Sequence, residues 1–206
     1  MASLGRGAVL VVFAVAACSG DGGDPTGPGV VVTEVTLPAA GAVYRGAGPH
    51  LFLDGDARLT CGSHGGFTTS VEPPTEVGAS VLSDYRATFV GELVLEPPLV
   101  SAAVTHPLAV QAHMVERITL TELRGSSRIF GTELVTLDLS GSGMPQGVMV
   151  RESSTRSSTG RATITALSDG RHRIESFYDV WLEISLDGGR SWAPAQAAVR
   201  MTLGGS

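Results

Sequence analysis

The chain of 206 residues contains no lysine and no asparagine. Without lysine it cannot carry a Walker-type phosphate loop, form a Schiff base or use a Ser-Lys dyad. Without asparagine it offers no acceptor for N-glycosylation. The formal net charge is −6 at pH 7, and the arginines are scattered along the chain. Because nucleic-acid binding requires clustered positive charge, no nucleic-acid partner is expected.

Cysteine is also scarce, since only Cys18 and Cys61 are present. Cys61 and His64 have a C-x₂-H spacing, but no second pair has the spacing of a zinc site. The sequence therefore predicts no metal and no other cofactor, with Cys61 and His64 as the residues that come nearest to a metal-binding pattern. If Cys18 is modified, Cys61 has no partner for an intramolecular disulfide.

The amino-terminal segment has the order of features found in bacterial export signals. Arg6 precedes the apolar run Ala8–Ala17, which is shorter than the roughly 20 residues of a membrane-spanning helix. The run ends in Val15-Ala16-Ala17-Cys18, which resembles the bacterial lipobox. The resemblance implies a signal peptide over residues 1–17 and a lipid on Cys18 that anchors the protein to the cell envelope. Ser19 favours the outer membrane if the cell has two membranes.

Composition then divides the rest of the chain into a linker and one domain. Residues 18–29 are rich in glycine, proline and aspartate and are predicted to form a flexible tether. Residues 30–206 are enough for a single domain with a sizeable core.

Apolar residues in this domain recur at every second position. Tyr85, Ala87 and Phe89 share one face of a predicted strand, for example. About ten such segments follow one another at short spacing, separated by glycine and proline turns, and no segment has helical periodicity. We therefore expect an all-β fold, either a single antiparallel β-sandwich or an open barrel of about ten strands.

The clearest hairpin is predicted across Arg171–Thr202. Its first strand alternates apolar residues with polar ones, and Asp187-Gly188-Gly189 supplies the turn. The predicted core face carries Val180, Leu182 and Ile184, and the opposite face carries Asp179, Trp181 and Glu183.

The turn has a recognisable signature. The segment Ser185–Trp192 fits S-x-D-x-G-x-[ST]-W and resembles the Asp-box of sialidases and related β-propellers. In that motif the aspartate binds turn backbone and the tryptophan packs beneath it, which implies structural roles for Asp187 and Trp192. The motif occurs once, whereas a propeller needs several similar blades, so the resemblance carries no sialidase activity.

A wider resemblance covers about residues 80–203. The segments Ser83–Tyr85, Gly131–Leu134, Arg151–Ser153 and Ser176–Val180, followed by the Asp-box, are similar to a domain of secreted bacterial proteins of unknown function. This resemblance implies an extracytoplasmic β domain and assigns no catalytic residue.

Three residues of the hairpin are candidate ligand contacts. Asp179 and Glu183 lie four residues apart on one strand face, roughly 13 Å between Cα atoms. Glycosidase carboxyl pairs are closer, at about 5 to 9.5 Å, although either acid could pair with one on another strand. Trp181 on the same face is the kind of aromatic residue that contacts carbohydrate or protein.

These observations predict a lipid-anchored envelope protein whose β domain is a non-catalytic binding or structural module. Its partners would be the membrane, through the lipid on Cys18, and a glycan or protein ligand. The alternative is an extracytoplasmic hydrolase of glycans or peptides with dispersed loop residues.

Overall fold

The computed structural model describes residues 29–204, which form thirteen strands in one antiparallel sheet. The all-β prediction is confirmed. The strands are β1 Val30–Val32, β2 Val43–Gly46, β3 His50–Phe52, β4 Ala57–Gly65, β5 Ser80–Leu95, β6 Val104–Arg124, β7 Ser127–Ser140, β8 Met149–Glu152, β9 Ser158–Ala166, β10 His172–Val180, β11 Leu182–Ser185, β12 Ala193–Pro194 and β13 Val199–Gly204. Within the described range, no helix has the length and apolarity to cross a membrane.

The sheet closes on itself. Eight strands follow one another in the order β10, β13, β2, β4, β5, β6, β7 and β9. Strand β9 pairs with β7 along one side and with β10 along the other, which completes the ring. The predicted sandwich or open barrel is therefore wrong in architecture, because both alternatives leave free sheet edges that β9 removes here.

The remaining strands lie outside this ring and extend its wall. Strand β8 pairs with β7 beyond the part that β9 uses, and β11 pairs with β8. Strand β3 pairs with β4 beyond the part that β2 uses. Short segments at the ends of long strands thus raise the strand count above the predicted ten.

The core fills the inside of the barrel. Along β5, Tyr85, Ala87, Phe89 and Leu93 are buried and alternate with exposed residues, as their spacing predicts. Most of the buried apolar side chains belong to one continuous cluster. An eight-stranded barrel has an interior that side chains can fill, and this chain fills it almost completely.

Strand β7 departs from simple alternation because it contains a β-bulge. Glu116 pairs with Leu134 and Val115 pairs with Thr136, so Val135 is an extra residue in β7. The bulge reverses the phase of the strand, so that Leu134 and Leu137 are both buried. Val135 consequently faces outward, whereas strict alternation would place it on the same face as Leu137.

The hairpin expected in Arg171–Thr202 is formed by two successive strand pairs. Strand β10 pairs with β13, with Val180 opposite Val199. Strand β11 then pairs with β12 near the turn, with Ile184 opposite Ala193. Trp181 lies at the break between β10 and β11. Val180 and Ile184 are buried, as is Leu182 in β11.

Candidate functional site

A carboxyl group lies in the apolar interior of the barrel. Glu116 is in β6, in phase with the buried Met114 and Ile118, and only 1% of its surface is exposed. Because side chains two residues apart point to the same face of a strand, Glu116 points inward. Among the ion pairs formed by residues 29–204 none involves Glu116.

Two phenols hold this carboxyl group. The Tyr85 hydroxyl donates to Oε2 of Glu116 at 3.1 Å, and the Tyr178 hydroxyl donates to Oε1 in a very short contact. Tyr44 packs against Tyr178 with 5.4 Å between ring centroids. Burial raises the pKa of Glu116 to about 7, although the two phenol hydrogen bonds oppose the rise. Glu116 can therefore exist as a neutral acid or as a carboxylate near neutral pH.

Two small voids adjoin one another in the interior. One, of about 20 Å³, lies beside Tyr44, Tyr85 and Tyr178 and is bounded by Phe67 from the segment after β4. The other, of about 10 Å³, lies towards Gly46 and His50. His64 and Met201 are among the residues that line both voids. Each void has room for about one water-sized species.

Two buried histidines, with ring nitrogens that are unpartnered within the described part of the chain, line these voids. His50 and His64 are 6% and 7% exposed, and Nδ1 of each has no hydrogen-bond partner among the described residues. Burial lowers the pKa of both side chains to about 4, and the proximity of His64 adds to the effect at His50. Both imidazoles are therefore neutral at physiological pH.

The predicted ligand contacts lie on the outside of the barrel, not in this interior. Asp179 in β10 accepts two hydrogen bonds from Arg200 in β13, at 2.8 Å from Nε and 2.7 Å from Nη2. The Arg200 guanidinium also stacks on Phe177, 4.0 Å from the ring centroid. Asp179 is thus engaged by one arginine in a partly exposed pair.

Glu183 belongs to a second, more buried ion pair. Its Oε2 accepts from Nε and Nη2 of Arg151 at 3.0 and 2.8 Å. Its Oε1 accepts from the Ser153 hydroxyl and from the Ser154 backbone N–H. Burial would raise the pKa of Glu183, but the donors outweigh burial and hold it below its usual range. Glu183 is a buried, fully engaged carboxylate, and it shares no cleft with Asp179.

The two tryptophans each carry an arginine on one ring face. Arg151 stacks on Trp192 at 3.9 Å, so Trp192 extends the ion pair of Glu183. Arg156 stacks on Trp181 at 4.2 Å, and Trp181 is half-buried. We call Phe177, Trp181, Trp192 and the arginines stacked on them, Arg200, Arg156 and Arg151, the arginine–aromatic strip.

The turn after β11 is organised around Asp187. Its Oδ1 accepts from the backbone N–H groups of Arg190 and Ser191, both at 3.0 Å, and from the Ser185 hydroxyl at 2.8 Å. Its Oδ2 accepts from the Ser191 hydroxyl at 2.6 Å. The hydrogen bond from this hydroxyl is the largest cause of a strong lowering of the pKa of Asp187, and the other donors add to it. The indole N–H of Trp192 donates to Gly189 O at 3.1 Å. The short side chain thus satisfies turn backbone that strand pairing leaves free.

The side chains of the two cysteines are outside the described part of the structure. Cys18 lies outside residues 29–204, as do the predicted signal peptide and nearly all of the tether. Cys61 lies within β4, but its side chain is not among those described. His64, the other residue of the C-x₂-H pattern, is one of the two buried histidines. The described residues contain no group of three or more His, Cys, Asp or Glu side chains that could hold a metal ion.

Comparisons of the chain with protein-family models, with curated proteins and with solved structures found no match.

Glu116 is the residue that sequence reasoning missed. Its signal was present, because it stands in the apolar phase of β6 between Met114 and Ile118, where a charge is costly unless it is paired. An acidic residue at a position of the alternation that is otherwise apolar is a candidate for a polar site in the interior. The phenols of Tyr85 and Tyr178 could not be assigned to it without the strand pairing.

Proposed function

We propose that this protein is a lipid-anchored component of the cell envelope whose β-barrel is a non-catalytic binding module. The observation that carries the proposal is the engagement of both candidate acids, since Asp179 and Glu183 are each held by an arginine. A general acid or base must be free to exchange a proton with a substrate, whereas a carboxylate in a two-nitrogen arginine pair is a structural counter-ion.

The proposed contact surface is the arginine–aromatic strip. Trp181 is half-buried and Arg156 beside it is exposed, so planar groups are presented to solvent on a rigid wall. Aromatic and arginine side chains are enriched in binding surfaces because they offer a large contact area at low entropic cost. The interior voids are too small for a glycan or peptide, which favours binding on the outside. The ligand would be a glycan or a protein of the envelope.

A glycan hydrolase of the usual kind would need two free carboxyl groups facing one another across a cleft. Asp179 and Glu183 lie instead in separate ion pairs on the barrel wall. The binding module is therefore the proposal that these contacts support better.

The lipid anchor is tested by replacing the cysteine that would carry it. We expect Cys18→Ala to release the full-length protein from washed membranes into the soluble fraction, because the acyl chains would be lost. Fractionation followed by immunoblotting measures the change. Cys61→Ala is the matched control and should stay with the membranes. A Cys18→Ala protein that remains in the membrane fraction would overturn the anchor.

The binding surface is tested by removing the half-exposed indole. The Cys18→Ala chain is applied to a glycan array and to immobilised envelope extract, and we expect it to bind a ligand on one of them. The binding signal for that ligand should fall at least about tenfold when Trp181→Ala is added. Leu123→Ala removes an exposed apolar side chain elsewhere on the surface and should leave binding unchanged. Equal binding by Trp181→Ala, or no retention of any ligand, would contradict the proposed surface.

A further inference from the structure

Three potential metal ligands line the smaller interior void: His50, His64 and Met201. They come from β3, β4 and β13, so the closed sheet brings together side chains that are far apart in sequence. Nδ1 of each histidine has no partner within residues 29–204, and both side chains are more than nine-tenths buried. A buried polar nitrogen without a partner is costly, and a species bound in the void would relieve that cost.

The thioether is held at the same place. Met201 is opposite Gly46 in the pairing of β13 with β2, and Gly46 also lines the void. A Cβ atom on Gly46 would lie 3.2 Å from Sδ of Met201. The absence of a side chain at Gly46 therefore leaves room for the sulfur beside the void.

The donor set indicates the kind of ion. The thioether is a soft ligand and the two neutral imidazoles are borderline ligands, and this uncharged set favours Cu(I) over Mg²⁺, Ca²⁺ or other hard cations. The rest of the lining is apolar and includes Leu59, Phe89 and Leu182. The lining has no carboxylate or hydroxyl side chain, which disfavours Cu(II), because that ion prefers nitrogen and oxygen ligands in a square-planar arrangement.

We propose that the void between His50, His64 and Met201 is a binding site for one soft monovalent metal ion, Cu(I), in the core of the barrel. Each ligand is a neutral side chain and needs no deprotonation at neutral pH to bind the ion. The site uses a thioether in place of a third histidine or acid, so it is distinct from zinc and calcium sites, which take nitrogen, oxygen or thiolate donors. It is also independent of the arginine–aromatic strip.

Ag⁺ is the probe, because it shares the ligand preference of Cu(I) and is not oxidised during the measurement. The full-length chain with Cys18→Ala and Cys61→Ser is titrated with Ag⁺, so that no thiol competes for the ion. We expect one Ag⁺ per chain and a rise in the thermal midpoint, because an ion that binds only the folded state stabilises it. The same concentration of Zn²⁺ should leave the midpoint unchanged.

The ligands are tested in the same background. Met201→Leu and His64→Leu should each weaken Ag⁺ binding at least about tenfold. Removing a residue that only supports a metal ligand already weakens metal binding by about this factor, and removing a ligand should weaken it at least as much. Both substitutions keep the core apolar and of similar volume, so folding is preserved and is checked by circular dichroism. Met149→Leu alters an exposed methionine and His106→Gln a histidine away from the void, and both should bind normally.

Three results would overturn the site. These are an absence of Ag⁺ binding in the thiol-free chain, binding that survives both Met201→Leu and His64→Leu, and binding of Zn²⁺ that is tighter than binding of Ag⁺.

Discussion

Glu116→Gln is expected to stabilise the protein by about 3 kcal/mol at pH 8 and by almost nothing at pH 4. The pKa of Glu116 rises from 4.5 in the unfolded chain to about 7 in the barrel, and each unit corresponds to about 1.4 kcal/mol. The folded state therefore keeps a proton that the unfolded state has released. Stability from the neutral acid is complete below pH 4.5 and is lost as the pH rises through 7.

The measurement is urea unfolding of both proteins between pH 4 and pH 8 in metal-free buffer. Glutamine cannot titrate, so the difference between the two curves should grow from pH 4.5 and level off above pH 7. The titration of His50 and His64 contributes equally to both proteins and cancels. Glu122→Gln, at a partly exposed glutamate paired with Arg124, is the control for the loss of a carboxylate and should change the stability by less than about 1 kcal/mol. A difference that is constant with pH would contradict the buried titration.

Glu183→Ala is expected to destabilise the protein by about 2 kcal/mol, whereas Asp179→Ala should cost about 0.5 kcal/mol. Both residues pair with an arginine on the same outer wall, but the Glu183 side chain is 6% exposed and that of Asp179 is 39% exposed. Removing one partner of a buried ion pair leaves the other charge and its hydrogen-bond donors buried without a partner. In an exposed ion pair, water replaces the lost contacts of the remaining charge. The value for Glu183 is below that of a fully buried pair because Arg151 keeps some contact with solvent.

Urea unfolding of the two variants provides a matched comparison, because the residue change differs by one methylene only. Arg151→Ala and the double variant with Glu183→Ala complete a double-mutant cycle, which isolates the pair energy from other losses. Comparable losses for Glu183→Ala and Asp179→Ala would show that burial does not distinguish the two pairs. A stable Glu183→Ala protein with altered ligand binding would favour a direct role for this acid.

Period-two alternation was enough to predict strands, but not how they close. Tyr85, Ala87 and Phe89 alternate equally well in a sandwich and in a barrel, because each architecture buries one face of every strand. The difference lies in whether β9 pairs with both β7 and β10. These pairings join segments that are distant along the chain, and no local pattern encodes them.

The buried polar residues could be predicted from the sequence only in part, because alternation gives the face of a residue but not its partners on other strands. Glu116 could have been recognised from its place in the apolar phase of β6. In contrast, the burial of Glu183 depends on Arg151 and Ser153, which reach it from β8 and the segment after it. Strict alternation would place Val135 on the core face, but a single inserted residue in β7 changes the face of its neighbours, and bulges leave no reliable mark in a single sequence.

Closure of the barrel affects the tendency of the protein to aggregate when many copies are crowded together. Unpaired strand edges are templates for joining one molecule to another. Here β1, β3 and β12 each pair with one strand only and have three, three and two residues, and β12 ends in Pro194, which has no amide hydrogen to donate. The part of β5 that β4 does not reach is contacted by the segment after β4, where the Thr68 N–H donates to Arg86 O. Molecules crowded side by side would therefore have little means of growing into aggregates by adding strand to strand.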